Sequence, residues 1–406
     1  MKIGLFTDTL EDINGVARFV RDLGEQARCI GRDLVIHTSV ADPKIKDPPF
    51  ARHNFDPLVS SVLPYYPQLT VALPPPWQML HWAEQQKFDI IHSSTPGPVG
   101  MCGWLIARWL KVPFAATYHT DFPAYVDRLT GSKAMAGGTT VFMKLFYRGA
   151  ALVFSRSREY EQILLDLGVR AAALRTLRPA INLSKFNPSF RDDSVWRQFG
   201  VTQPLKLLYI GRISVEKNLP LLVTSFRAVC ARRKDVALVV VGEGPYEQPM
   251  RRELAGLPAY FTGVLGDRDL ARLYCAADLF AFPSRTDTLG QVVMESQACG
   301  LPALVSDEGG PKTIVQDGVT GRVVRGDDAA TWSAAIESLI DDLPARRGMS
   351  AAAIQRMREF RFADTFEHFW HEHEQVVARA RRAGERGNGA IPAGSPVAAL
   401  MNRAGL

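Results

Sequence analysis

Cysteine is scarce in this chain. Five are present, at positions 29, 102, 230, 275 and 299, an odd number with no Cys-x-x-Cys pair. That spacing argues against a zinc or disulfide framework and fits a reducing compartment. Long uncharged apolar runs are missing too. The most apolar stretch, residues 99–118, contains Arg108 and Lys111 and does not read as a membrane span. The N-terminus offers only Ile3-Gly4-Leu5-Phe6 before Asp8, too short for a signal peptide. The expectation is a cytoplasmic protein, with any membrane contact peripheral, at the inner face of the cytoplasmic membrane. No G-x-G-x-x-G follows Asp8, and "VVVGEGPYE" lacks a third glycine, which argues against a nicotinamide-dependent oxidoreductase. "EHFWHEHEQ" carries His368, His371 and Glu372 without the H-E-x-x-H order, so a solvated helix face is expected and not a metal site.

Positive charge is unevenly spread. The formal net charge is +6, and Arg379, Arg381, Arg382, Arg386 and Arg403 against Glu385 place +4 of it in the tail. Such a tail can meet nucleic acid or an anionic membrane surface. A solvated, disordered end is the simpler expectation, and no nucleic-acid partner is expected.

What is abundant is alternation. Short apolar runs (2–8, 33–39, 89–95, 113–119, 151–157) alternate with helical patterns, and the rhythm restarts at 205–211, 237–242, 260–264, 279–284, 302–307 and 321–324. Runs that are apolar throughout predict parallel strands covered on both faces. The expected fold class is α/β, two doubly wound, Rossmann-like parallel-sheet domains facing a cleft. Their expected extents are 1–190 and 200–365, with a helix over 365–382 packing back toward the first domain and an unstructured 383–406. Ligands of such sheets gather beyond the carboxyl ends of the strands.

Four segments sit at such ends. "YIGRISVEKN" places Arg212 and Lys217 in a strand-to-helix loop, two cations that suit a diphosphate or are simply solvated. "TDTLGQVVMESQACG" holds Asp287 and Glu295 on either side of Gly290. Thr288 and Gln291 have capping-box spacing, which predicts a helix starting near Gly290, its positive end open to an anion. Asp287 either caps that helix or meets a ligand. Glu295 has Val292, Ala298 and Cys299 as helical neighbours. A carboxylate there needs a partner, such as a protein group or the paired hydroxyls of a ribose. "DTLEDINGVARFVRDL" offers Asn14-Gly15, which permits positive backbone angles and close approach to a phosphate. "ATYHTDFPAY" places His119 at a strand end, as a sugar contact or as a satisfied core histidine.

Taken together and in order, "GRISVEKN", "VVVGEGP", "YFTGVL", "LYCAADLFAFPS" and "DTLGQVVMESQACGLPALVSDEGG" resemble the retaining nucleotide-sugar glycosyltransferases of the GT-B fold, over about residues 2–324. The last segment is similar to that family's pair of Glu residues bracketing seven others. "TYHTDFPAYV" is similar to members that build glycolipids, such as mannosyl- and sulfoquinovosyltransferases. The resemblance implies that Arg212 and Lys217 bind the donor diphosphate and that Glu295 holds the nucleotide ribose. It implies that Asp287 lies near the donor sugar and that the backbone of Leu289 and Gly290 meets phosphate and sugar. Gly15 is implied near the diphosphate, His119 at the donor sugar and Val264 at the base. Two departures stand out: Asp287 replaces Glu, and Ala180 and Asn182 stand where many relatives carry Gly and Asp.

The implied function is transfer of a hexose, with retention, from a UDP- or GDP-sugar to a hydroxyl of a glycolipid or cell-envelope glycan. No metal or other cofactor is expected, since the two cations and the helix dipole can meet the leaving diphosphate. The alternative is a catalytically degenerate nucleotide-sugar-binding partner protein, motivated by Asp287. Residues 63–77, "LPYYPQLTVALPPPW", read as a hairpin followed by a Pro-started helix, or as an acceptor or lipid contact. "MAGGTTVFMKLFYRGA" reads as a basic, apolar helix, either on a membrane or against the first sheet.

Overall fold

The computed structural model describes residues 1–387 apart from 13, 64–65, 120–121, 124–125, 127–131, 157 and 288. It divides into two compact units, Met1–Thr176 with the residues from His368 onward, and Leu177–Glu367.

In the first unit a sheet is built from β1 (Lys2–Phe6), β2 (Asp33–Thr38), β3 (Arg52–Asn54), β6 (Ile90–Ser93), β7 (Phe114–Tyr118), β8 (Leu152–Ser155) and β9 (Leu174–Thr176). Their order is β3-β2-β1-β6-β7-β8-β9, with every paired neighbour parallel. A hairpin of β4 (Val59–Leu63) and β5 (Tyr66–Leu73) precedes helix α2 (Pro76–Gln86), in line with the hairpin reading of that segment. Helices α1 (Gly15–Cys29), α3 (Pro98–Leu110), α4 (Lys133–Arg148) and α5 (Arg158–Asp166) complete the first run of the chain. Ile3, Leu5, Phe6, Ile90 and Ile91 are fully buried. Burial on both faces is why these strands lack polar alternation.

The second unit repeats the plan. Its strands are β10 (Leu205–Ile210), β11 (Val236–Val241), β12 (Ala259–Phe261), β13 (Leu279–Phe282), β14 (Ala303–Ser306) and β15 (Gly321–Val324). They lie in the order β12-β11-β10-β13-β14-β15, with parallel pairing throughout. In both sheets the first strand is flanked by the second and the fourth, so the chain reverses direction across the sheet at that point. That reversal opens a crevice beyond the strand ends. It lies between β1 and β6 in the first unit and between β10 and β13 in the second. The helices here are α6 (Leu219–Arg232), α7 (Glu247–Glu253), α8 (Asp267–Ala276), α9 (Gln291–Ala298), α10 (Pro311–Ile314), α11 (Ala329–Asp341) and α12 (Leu343–Met357).

The structure departs from expectation in places. Residues 177–190 pack with the second unit, where Ile181 and Phe186 join its core. Helix α13 (Phe362–Gly387) runs past the anticipated start of the tail, and Arg381 pairs with Asp89, so this stretch is anchored and not merely solvated. Residues 388–406, and the expectation made for them, lie outside the described residues. The short edge strands β3 and β9 carry no apolar run and gave no sequence signal.

In the first unit, α13 is held by a buried polar relay. His373 Nδ1 lies 2.7 Å from the Phe369 carbonyl, an acceptor, so Nδ1–H donates and Nε2 must accept. His92 Nδ1–H then donates to that Nε2 at 3.0 Å, leaving His92 Nε2 to accept from the Thr117 hydroxyl at 2.9 Å. Both rings are neutral. Burial pushes His373 down to about 4. Burial, then the neighbouring His373 and His119, hold His92 well below its usual value.

Candidate active site

Two loops flank the crevice of the second sheet, one after β10 and one after β13. The β10 loop opens at Gly211, with φ of 155°. A Cβ on Gly242 would lie 2.1 Å from the Gly211 carbonyl oxygen, and one on Gly244 2.3 Å from that of Ile213. The glycines of "VVVGEGP" therefore serve backbone packing beside the loop. The Tyr209 hydroxyl donates to the Arg212 carbonyl at 2.9 Å and fixes the turn. A short 3₁₀ turn, Val215–Lys217, follows, closed by Asn218 at φ 57°.

This geometry brings Lys217 to Asp287. The ammonium lies 2.8 and 2.9 Å from the two carboxylate oxygens. The Arg212 guanidinium lies 3.7 Å from Glu216. The Thr286 hydroxyl donates to the Glu216 carbonyl at 3.2 Å, a second tie between the loops. Asp327 adds a third, accepting from Asn218 at 2.6 Å and from Arg285 at 2.8 Å. The backbone N–H of Gly310 donates to the Asp287 carbonyl at 2.7 Å. Asp287 is thus held at both ends, by its backbone and by its side chain.

Helix α9 starts at Gln291, with Gly290 as N-cap at φ 79° and no side-chain cap. The anticipated capping box does not match this start. Gln291 is the first helical residue instead of the third, and its side-chain amide donates to the Ala180 carbonyl at 3.3 Å. Thr288 lies outside the described residues. A Cβ on Gly290 would meet Pro311 at 2.9 Å in a conformation that favours glycine, so the chain approaches closely there. The first turn of α9 holds no acidic residue, and its peptide dipoles favour an anion.

Glu295 is fully buried on α9. The Tyr274 hydroxyl, on α8, donates to its Oε2 at 3.1 Å. The carboxylate in the apolar stripe therefore has a protein partner, brought to it by the packing of α8 on α9. Leu289 packs against the core of this unit. Val264, beyond β12, exposes 42% of its surface and follows Gly263 at φ 73°.

The first unit holds the other two candidates. Gly15 is the first residue of α1, capped by the Asn14 side chain, which accepts from the Ala17 N–H at 2.8 Å. It does not use the positive φ that Asn-Gly permits, and the space where its Cβ would project is open within 4 Å. His119 follows β7, its Nε2 3.1 Å from the Ser94 hydroxyl. Burial, then the charge of Arg156, holds it well below its ordinary pKa, so it is a neutral ring that exchanges hydrogen bonds. Sequence reading missed Asp8. Its carboxylate accepts from Thr95 Oγ1 at 2.6 Å and from the Val99 and Gly100 N–H groups at 2.7 and 3.3 Å. It fills the anion seat at the start of α3, and a Cβ on Gly97 would strike it at 2.5 Å. Among the described residues, no group of three or more His, Cys, Asp or Glu is placed to hold a metal ion. Glu372 is instead paired with Arg175 at 2.7 Å.

Residues 13–185 match the Glycosyltransferase Family 4 model, and residues 192–356 match that of the group 1 glycosyl transferases. The chain is 30% identical over 303 residues to a sulfoquinovosyl transferase of Arabidopsis thaliana, an overlap of 73% of this chain and 58% of that one. The chain thus spans less than two thirds of the plant protein. It is 28% identical over 369 residues to an alpha-monoglucosyldiacylglycerol synthase of Streptococcus pneumoniae, covering 84% of this chain and 78% of that protein. HepE of Anabaena, solved with UDP and glucose, shares the fold at a TM-score of 0.73 and 18% identity, over 92% of this chain and 99% of that one. With each half matched in order and the doubled sheet plan shared, the chain belongs to the nucleotide-sugar glycosyltransferases of the GT-B fold.

Proposed function

We propose that this glycosyltransferase moves a hexose, with retained anomeric configuration, from a UDP- or GDP-sugar to a hydroxyl of a glycolipid or cell-envelope glycan. The observation that carries the donor half is the pairing of Lys217 with Asp287, which ties the loop that also carries Arg212 to the loop after β13. Two cations and a helix start at Gly290 with no side-chain cap give a diphosphate preorganised donors where its charge grows. In this reading the bond from the anomeric carbon to the leaving phosphate oxygen breaks and the acceptor oxygen bonds to that carbon. The acceptor proton passes to the departing diphosphate on the same face. Arg212 and Lys217 do the work that a divalent cation would otherwise do.

Glu295 would exchange the Tyr274 hydroxyl for ribose hydroxyls, trading one donor for others. The backbone N–H groups of Leu289 and Gly290 would meet phosphate and sugar, Asp287 the sugar, and Val264 the base by its backbone. In the first unit, Gly15 leaves open space where a Cβ would project and His119 is a neutral ring able to exchange hydrogen bonds, the chemistry that the resemblance asks of them. The lipid acceptor is supported by the kinship with an alpha-monoglucosyldiacylglycerol synthase and a sulfoquinovosyl transferase. The test is a panel of UDP- and GDP-sugars with a total lipid extract, read by mass spectrometry. A lipid gaining one hexose, with matching nucleotide release, is expected. Donor binding without release would favour the degenerate binder, a reading that the engagement of both Asp287 oxygens with Lys217 keeps in play.

A further inference from the structure

Helix α4 buries only Met143, Phe146 and Tyr147. Its opposite face is apolar as well: Val141 and Leu145, one turn apart, are 68% and 58% exposed. A soluble helix ordinarily carries polar side chains there. On α3, Leu105 and Trp109 are 52% and 50% exposed. The C-terminal turns of the two helices meet at a groove of about 520 Å³, lined by Trp104, Arg108, Lys144, Leu145, Arg148 and Gly149. The two segments, "PVGMCGWLIARWL" and "KAMAGGTTVFMKLFYR", contain no acidic residue, while each carries basic ones.

We infer that this α3–α4 face of the first unit is a docking surface for an anionic lipid bilayer. The inference rests on the lipid-acceptor reading and locates the contact it requires. Apolar side chains flanked by Lys and Arg, with a tryptophan among them, match the layers of a membrane interface. Aliphatic groups enter the acyl boundary, indole sits at headgroup level, and the cations meet lipid phosphates. Charge selects among possible occupants. A second copy in a two-fold arrangement would bring the same uncompensated cations together, which is unfavourable. An anionic surface neutralises them. No described helix is long and apolar enough to cross a membrane, so the contact lies along the surface.

The experiment is flotation of the full chain with phosphatidylglycerol or phosphatidylcholine vesicles, beside calorimetric titration with UDP and GDP. Two variants are compared with the parent, Val141→Ser with Leu145→Ser and Lys144→Gln with Arg148→Gln. All four positions are solvent-facing, so the variants fold. Binding to phosphatidylglycerol is expected, and it should weaken as salt rises. Each basic side chain removed lowers the partition coefficient about fivefold, or roughly 25-fold for the pair. The serine variant should also float poorly. Parent-like flotation of both variants, or equal binding to phosphatidylcholine, overturns the inference. So does a concentration-dependent dimer that the same variants abolish. Lost flotation in the variants with no nucleotide binding by the parent would remove the donor reading and leave the docking face standing. Nucleotide binding with variant-insensitive flotation would do the reverse.

Discussion

Replacing Lys217 with Ala removes the ammonium that lies 2.8 and 2.9 Å from the Asp287 carboxylate oxygens. The two side chains are 20% and 23% exposed. Water reaches this pair and screens it, so its contribution to folding is on the order of 0–1 kcal/mol. Under the proposed function the same ammonium faces a departing diphosphate, where its effect is larger. Loss of one preorganised electrostatic contact costs about 3–4 kcal/mol of transition-state stabilisation, or roughly 10²–10³ in kcat. Activity and stability should therefore separate. Nucleotide release is measured under saturating donor and lipid, and urea unfolding is followed by circular dichroism. The variant should lose at least about 100-fold in kcat while its unfolding free energy falls by less than ~1 kcal/mol. A rate within about threefold of the parent would refute the reasoning, because an ammonium that stabilises the transition state cannot be removed so lightly. A collapse in stability would refute it differently, by showing that the pair with Asp287 is structural.

Tyr274→Phe deletes the hydroxyl that donates to buried Glu295. Urea unfolding should show a loss of about 1.5–3 kcal/mol, the range for hydrogen bonds to charged groups. Gly290→Ala forces a Cβ to 2.9 Å from Pro311 at φ 79°, and should cost about 1–3 kcal/mol, visible as a lower Tm. Stability should also depend on pH through the His92–His373 relay. The folded-state pKa of His373, about 4 against an ordinary 6.5, means that the unfolded chain takes up the proton first as pH falls. Stability is then full above pH ~6.5 and declines toward pH ~4, by about 3 kcal/mol for this ring. Unfolding titrations across that range check the slope, and the double variant His92→Leu with His373→Leu should make it shallower, with buried His37 and His119 keeping a residual slope.

Much of the architecture was legible because burial on both faces leaves a strong trace. The runs at 205–211 and 279–284 could be little else than covered strands, and β10 and β13 lie within them. The loops beyond these strands carried Arg212, Lys217 and Asp287, so the candidate site could be placed at the crevice before any coordinates. What escaped was non-local. The acceptance of a Tyr274 hydrogen bond by Glu295 depends on how α8 packs on α9, which no spacing encodes. Asp8 reads as an ordinary residue after a strand, yet it caps α3 from about ninety positions away. His373 sat in a histidine-rich segment that looked solvated. Only packing against β6 reveals that it is dry while His371 is exposed. The capping-box spacing at Thr288 and Gln291 misled because the left-handed turn at Gly290 sets the helix start.

The central claim is that the cations beyond β10 hold a nucleoside diphosphate. Calorimetric titration of the parent chain and of Arg212→Ala with UDP and with GDP tests it directly. The account predicts binding of one of the two nucleotides by the parent, and a loss of about tenfold or more when the guanidinium is removed. Binding of neither nucleotide, or binding unchanged in Arg212→Ala, would contradict it.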